Sequence, residues 1–290
     1  MNAIMQFCQT SFSPVVVIFT VFNLLTIGLQ VRIPNVIGKV SNLKFLALML
    51  FWGWIVGPAL GFLLTRIIPL AEPYVVVMFI ASLAPCAPFL PPMIERAHAD
   101  VDFAGAFIPI AAIGTVVFLP LLAPVMIKGI SIDPIALAKP LIMTVFIPLV
   151  VGALLKTYAG KVADKIFKPV KLTGNLATLL TIILALLLYS KLMLSTAGSF
   201  ALLSLTIFTL VMAFLTYQFG FGFKQEERSI MSLGMGTRNI AAVLMGVMVI
   251  PDRDPRMVAM VILWTLWTII LAFIFSPLYS KKASKATKSE

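Results

Sequence analysis

The sequence predicts an all-α polytopic membrane protein, and three observations carry that expectation. Hydrophobic residues make up 61% of the 290-residue chain and charged residues 11%, whereas a soluble domain carries about a quarter charged residues. The apolar residues fall in runs close to the roughly 20 needed to cross a bilayer as helix. They also lack the polar–apolar alternation of a membrane β-strand. Finally, two of the runs are interrupted near their middle by prolines or by glycines with an arginine.

Length and hydropathy predict about nine transmembrane helices, over residues 13–31, 43–65, 73–94, 103–127, 137–155, 172–195, 199–222, 229–250 and 257–279. Basic residues sit between the runs. The loops after the odd-numbered spans, with the C-terminal tail, hold 15 of the 22 Lys and Arg, the other loops hold six, and Arg238 is left inside a span. That asymmetry places the N-terminus outside and the C-terminus in the cytoplasm, in a bacterial cytoplasmic (inner) membrane. The net charge of +11 is thus spread over loops, which argues against nucleic acid as a partner. The lysines of the tail 280–290, Lys281, Lys282, Lys285 and Lys288, are expected to touch anionic lipid. Two cysteines, Cys8 and Cys86, lie in or beside apolar runs, so no disulfide framework is expected. The single histidine, His98, excludes a multi-histidine metal site. No cofactor is implied, and no removable signal peptide is expected.

The interrupted runs correspond to one another. Ser82-Leu83-Ala84-Pro85-Cys86-Ala87-Pro88-Phe89 lies in the third, and Ser232-Leu233-Gly234-Met235-Gly236-Thr237-Arg238-Asn239 in the eighth. Each precedes an Asp-x-Asp pair, Asp100/Asp102 or Asp252/Asp254, read chiefly as helix N-caps. Under the orientation above the two runs point in opposite directions. The expected organisation is one membrane domain of two inverted repeats, 13–127 and 137–279. Paired broken helices in inverted halves point to a secondary transporter with its substrate at the repeat interface. Prolines 85, 88, 91 and 92 remove backbone donors, Gly234 and Gly236 ease unwinding, and half-helix N-termini favour an anion.

Gly236-Thr237-Arg238-Asn239-Ile240-Ala241-Ala242 resembles the second crossover helix of the bile acid:sodium symporter family. Asn23–Gln30 and Pro58–Leu64 are similar to that family's early-helix segments, and the proline window after Ala84 stands where its first crossover helix belongs. The resemblance implies a core domain with two broken crossing helices, a panel domain, and alternating access for organic anions with apolar bodies. It also shows departures. The acidic residue expected two before the motif glycine is Gly234, the Ser-Asn pair of the first crossover is Leu90-Pro91, and an expected glutamine is Gly53. The hydroxyls expected in the next helix are replaced by Ile108-Pro109-Ile110-Ala111-Ala112. The protein is therefore expected to lack the family's sodium sites, with Arg238 supplying a fixed positive charge; alternatively Arg238 pairs with Glu95 or a carbonyl and holds the breaks together.

The expected substrate-binding residues are Arg238, Asn239, Thr237, Gly236, Gly234, Ser82, Cys86, Pro88 and Asn175, with Thr178 and Thr181 beside the last at helical spacing. Glu95 and His98 are candidates for proton coupling, or a solvated loop. Ala84-Pro85-Cys86 is similar to the Ala-Pro-Cys of arsenite permeases, which keeps metalloid efflux open as an alternative. A passive facilitator or a non-transporting receptor stays open too. An enzyme is not expected, because no carboxylate pair, Ser/His couple or metal-ligand set faces a cavity.

Overall fold

The computed structural model describes residues 3–127 and 133–287, with side chains described over 5–100, 102–127 and 133–281. Lys128, Lys288 and the side chains of Lys282 and Lys285 lie outside the described residues. The described chain is helical, with no strand and one isolated antiparallel bridge between Pro85 and Arg238.

α1 (Ala3–Gly28) leads to a short α2 (Ile33–Val40), where only a linker was expected. α3 (Leu43–Leu50) continues through a π-helical turn, Phe51–Val56, into α4 (Gly57–Ile67). The third run divides into α5 (Glu72–Ser82) and α6 (Leu90–Arg96), followed by α7 (Val101–Met126). α8 (Pro134–Leu141) passes through a second π turn, Ile142–Phe146, into α9 (Ile147–Tyr158). Each π turn stands just before a proline, Pro58 or Pro148. A ring without an N–H cannot close the i→i−4 ladder, and the helix widens there.

α10 (Gly160–Ala197) and α11 (Phe200–Gln218) follow. The eighth run divides into α12 (Gln225–Gly236) and α13 (Ile240–Met248), and α14 (Pro255–Thr287) closes the chain. Among the described residues, seven helices are long and apolar enough to cross a membrane: Met5–Gly28, Leu43–Ile67, Asp102–Met126, Pro134–Tyr158, Gly160–Ala197, Phe200–Gln218 and Pro255–Lys281. The predicted third and eighth spans are the two that the chain breaks in half. α10, at 38 residues, starts 12 positions before the predicted span. It is about 57 Å long at about 1.5 Å per residue, so its lysine-bearing start extends beyond a hydrocarbon core of about 30 Å.

α1 packs against α9 and α10. The α1–α9 contact is backbone on backbone: a Cβ on Gly28 would stand 2.3 Å from the Leu149 carbonyl oxygen, and one on Gly152 2.7 Å from that of Leu25. Close approach through small residues is how membrane helices gain packing without a hydrophobic drive between them. α10 turns Leu172, Leu176, Leu179, Ile183 and Leu187 outward, a face suited to acyl chains. On its other side α10 meets α14, which also packs against α5, α6, α12 and α13.

Candidate functional site: the crossover and its cavity

The broken segments meet. α5 stops because Pro85 and Pro88 have no N–H to continue its ladder, and α6 restarts with Pro91 and Pro92 in its first turn, where missing donors cost nothing. α12 stops as Thr237 turns to extended geometry, and α13 restarts under Asn239, whose Oδ1 accepts from the Ala242 N–H at 3.2 Å.

The freed backbone groups pair across the two breaks. The Cys86 N–H donates to the carbonyls of Gly234 (2.9 Å) and Thr237 (3.1 Å), and the Asn239 N–H donates to Ala84 (2.8 Å). The Ala87 N–H donates to Thr237 Oγ1 at 3.1 Å. Non-helical backbone is tolerable at membrane depth when buried and satisfied in this way. Cys86 holds φ +75°, a left-handed conformation that costs a non-glycine residue about 1–2 kcal/mol.

Arg238 is 1% exposed. Its Nη1 donates to the carbonyls of Ala81 (3.3 Å) and Ser82 (3.4 Å), and Nη2 donates to that of Met235. The guanidinium carbon stands 4.9 Å from the centre of the Phe208 ring, a cation–π contact. Its partners are thus carbonyls; Glu95 does not pair with it. Those carbonyls belong to the last turns of α5 and α12, the negative ends of both helices.

Beside the crossover lies a cavity of about 350 Å³. α1 and α10 form one wall; the first break, α6, α13 and α14 form the other. It shares Ile27, Gln30, Pro91 and Glu95 with a cleft of about 270 Å³ that Arg32 and Asp102 also line. The first turn of α13 reaches the cavity through Ile240, and the first break through Pro88 and Phe89.

Residues 17–196 match the sodium bile acid symporter family, well over half of the chain. The chain belongs to that family. No curated protein sequence matches it. Membership makes it a membrane transporter of the bile acid:sodium symporter type. The matched stretch contains the first break and ends before the second, which carries Arg238.

The family's name implies sodium, and the crossover can be tested for it. Sodium needs several hard oxygen donors. The Ala81, Ser82 and Met235 carbonyls are already taken by Arg238. The Ser82 hydroxyl donates to Phe79 and the Thr237 hydroxyl to Leu233, and no ion pair among the described residues involves Arg238. Gly53 faces the crossover without a side chain: a Cβ there would lie 3.5 Å from Pro85 and 3.6 Å from Met235. These residues do not fit a sodium ion.

Of the residues singled out from the sequence, Pro88, Asn175 and Glu95 line the cavity, with Thr178 and Thr181. Arg238, Asn239, Thr237, Gly236, Gly234, Ser82 and Cys86 are buried in the crossover behind it. Gly234 lies within α12; a Cβ on it would stand 2.2 Å from the Phe107 ring, so its bareness serves packing rather than unwinding. His98 is exposed and lines neither cavity. Sequence reading passed over Asn23, Thr26, Gln30 and Lys171. Asn23 joins the two helices of its wall, Nδ2 donating to Thr178 Oγ1 at 3.1 Å and to the Gly174 carbonyl at 3.3 Å. The signal was present: Asn23, Thr26 and Gln30 recur at spacings of three and four inside an apolar run, a polar stripe on one helix face.

Proposed function

We propose that this chain is a secondary active transporter that carries a small organic anion with an apolar body by alternating access, without sodium coupling. The reading rests on one observation: the cavity lies between the α1/α10 wall and a wall built from the first break, α6, α13 and α14, and the two walls meet where α10 packs against α14. Its volume suits a single small ligand. Phe19, Ile27, Phe89, Ile182 and Leu244 offer an apolar surface, while Asn175 and Lys171 offer donors. The start of α13 adds the positive end of a helix dipole.

In the full reading the two broken segments and the seven continuous helices make nine spans in two inverted repeats, 13–127 and 137–279. α1, α9 and α10 form the panel, and the C-terminus lies in the cytoplasm. The second cleft opens by Arg32 and Asp102, the cytoplasmic side of that topology, which makes this the inward-facing state. Glu95 lines both cavities, which supports it over His98, which lines neither, as the group that would exchange a coupled proton.

The test is a binding and uptake screen of the purified protein in proteoliposomes against carboxylates, sulfonates and sterol conjugates, with sodium and proton gradients varied. One of these anions is expected to be taken up regardless of a sodium gradient. Lys171→Met is expected to weaken its binding about tenfold, the loss of one charge-assisted hydrogen bond. Strict sodium dependence, or a Lys171→Met variant that binds as wild type does, would refute the corresponding part of the reading.

A further inference from the structure

The helix ends that meet at the crossover have the makings of a cation site, and the chain fills it with its own side chain. α5 and α12 both end there, and a helix C-terminus carries about half a negative charge on carbonyls with no partner in the helix. Broken membrane helices use such carbonyls to coordinate monovalent cations. Here carbonyls from both ends, Ala81 and Ser82 of α5 and Met235 of α12, accept from a single guanidinium, and the Phe208 ring face covers it. Every one of these neighbours is a dipole or a ring quadrupole, and among the described residues no carboxylate stands at ion-pair distance from Arg238. A fully buried cation without a counter-ion is retained only where the surroundings are already negative.

We infer that Arg238 is a tethered cation, its guanidinium permanently occupying a carbonyl cage that would otherwise take a mobile monovalent cation. The charge joins α5 to α12, so the crossover assembles without any dissolved ion. Shortening the side chain turns the same carbonyls into a site for free sodium or a guanidinium-type ion. This deepens the sodium-independent part of the proposed function, but its test reads stability and needs no substrate.

The full-length protein, purified in detergent, is melted in matched concentrations of sodium, potassium and choline chloride, with and without millimolar methylguanidinium. Wild type is expected to unfold at the same temperature in all of them. Arg238→Ala is expected to melt lower in choline chloride. Its melting temperature should then climb with added sodium or methylguanidinium in a saturating, concentration-dependent way, as binding to the folded state alone requires. An Arg238→Ala protein indifferent to every cation would overturn the proposal. So would an Arg238→Met protein as stable as wild type in choline chloride, since that variant keeps the length and discards the charge. If Arg238→Ala yields no folded protein, the pair Arg238→Lys and Arg238→Met decides: folded protein from the lysine variant alone supports the proposal, and equal yields refute it. A wild type that passes these tests yet moves no anion would sink the transport reading and leave this one standing.

Discussion

The two breaks solve one problem with different chemistry. Each must interrupt a buried helix without leaving polar backbone unsatisfied. The first does it by subtraction: Pro85, Pro88, Pro91 and Pro92 have no N–H to satisfy, and α6 starts with no side-chain cap. The second does it by addition: Asn239 caps α13, Thr237 Oγ1 accepts from the facing strand of chain, and Arg238 binds three carbonyls. Each break both gives and accepts: the first donates through the Cys86 and Ala87 N–H groups and accepts at Ala81, Ser82 and Ala84, while the second donates through the Asn239 N–H and Arg238 and accepts at Gly234 and Thr237.

The segments that follow are more alike. After α6 the chain passes through His98 at φ +49°, and after α13 through Asp252 at φ +47°. Two residues later Asp100 caps α7, accepting from the N–H groups of Asp102 and Phe103, and Asp254 accepts from the Arg256 N–H at the start of α14. Asp100 therefore matches Asp254, and the two Asp-x-Asp pairs are offset by two positions. Asp102 lies in the first turn of α7, whereas Asp252 occupies the turn itself.

The comparison can be broken at three points. The largest effect is expected at Gly234. Its added Cβ would meet Phe107 of α7 at 2.2 Å, and overpacking of that kind costs about 3 kcal/mol. Gly234→Ala should therefore lower the melting temperature sharply, and a paired Phe107→Leu change should restore much of it. The next is Thr237→Val, which keeps the side-chain shape but removes the acceptor of the Ala87 N–H. One buried orphan donor costs roughly 1–3 kcal/mol, visible as a lower midpoint in thermal unfolding, while Thr237→Ser should be close to wild type.

The smallest concerns Asp254. Its carboxyl is held below the usual range, chiefly by the hydrogen bond from the Arg256 side chain, 2.6 Å away at the closest. A lowered carboxyl pKa stabilises the folded state above the unfolded value of about 3.9, and the effect disappears as pH falls through the lowered value. Asp254→Asn should melt slightly lower than wild type at neutral pH, with the two curves converging in acid.

Much of this was legible in the sequence. Long apolar runs identify bilayer helices by length alone, and the breaks announced themselves through four clustered prolines in one run and an arginine, rare in helices in lipid, beside two glycines in the other. The crossing of the two segments is what the family resemblance implies. Other features escaped for physical reasons. The lysines before Leu172 read as a loop, yet they extend α10 because lysine is a good helix former. Lys171 sits at the edge of an apolar run, where a basic residue ordinarily marks only a boundary. The direction of the Arg238 side chain is set by carbonyls about 150 residues away in sequence, which no local pattern encodes. Asn175, Thr178 and Thr181 line the cavity, and their spacing of three already places them on one face of α10.

An arginine fixed in the crossover has an electrical consequence. A co-transported ion would travel with the substrate and offset its charge, whereas a covalently held one stays behind after every cycle. Under the proposed transport of a monovalent anion, a cycle with no coupled proton would move one net negative charge across the bilayer, against or with a voltage gradient of about 2.3 kcal/mol per ~100 mV, and a proton carried through Glu95 would cancel it. Where the interior is negative, that gradient favours outward movement of an uncompensated anion, so the voltage would set the direction of a cycle that carries no proton and leave a proton-coupled one unaffected.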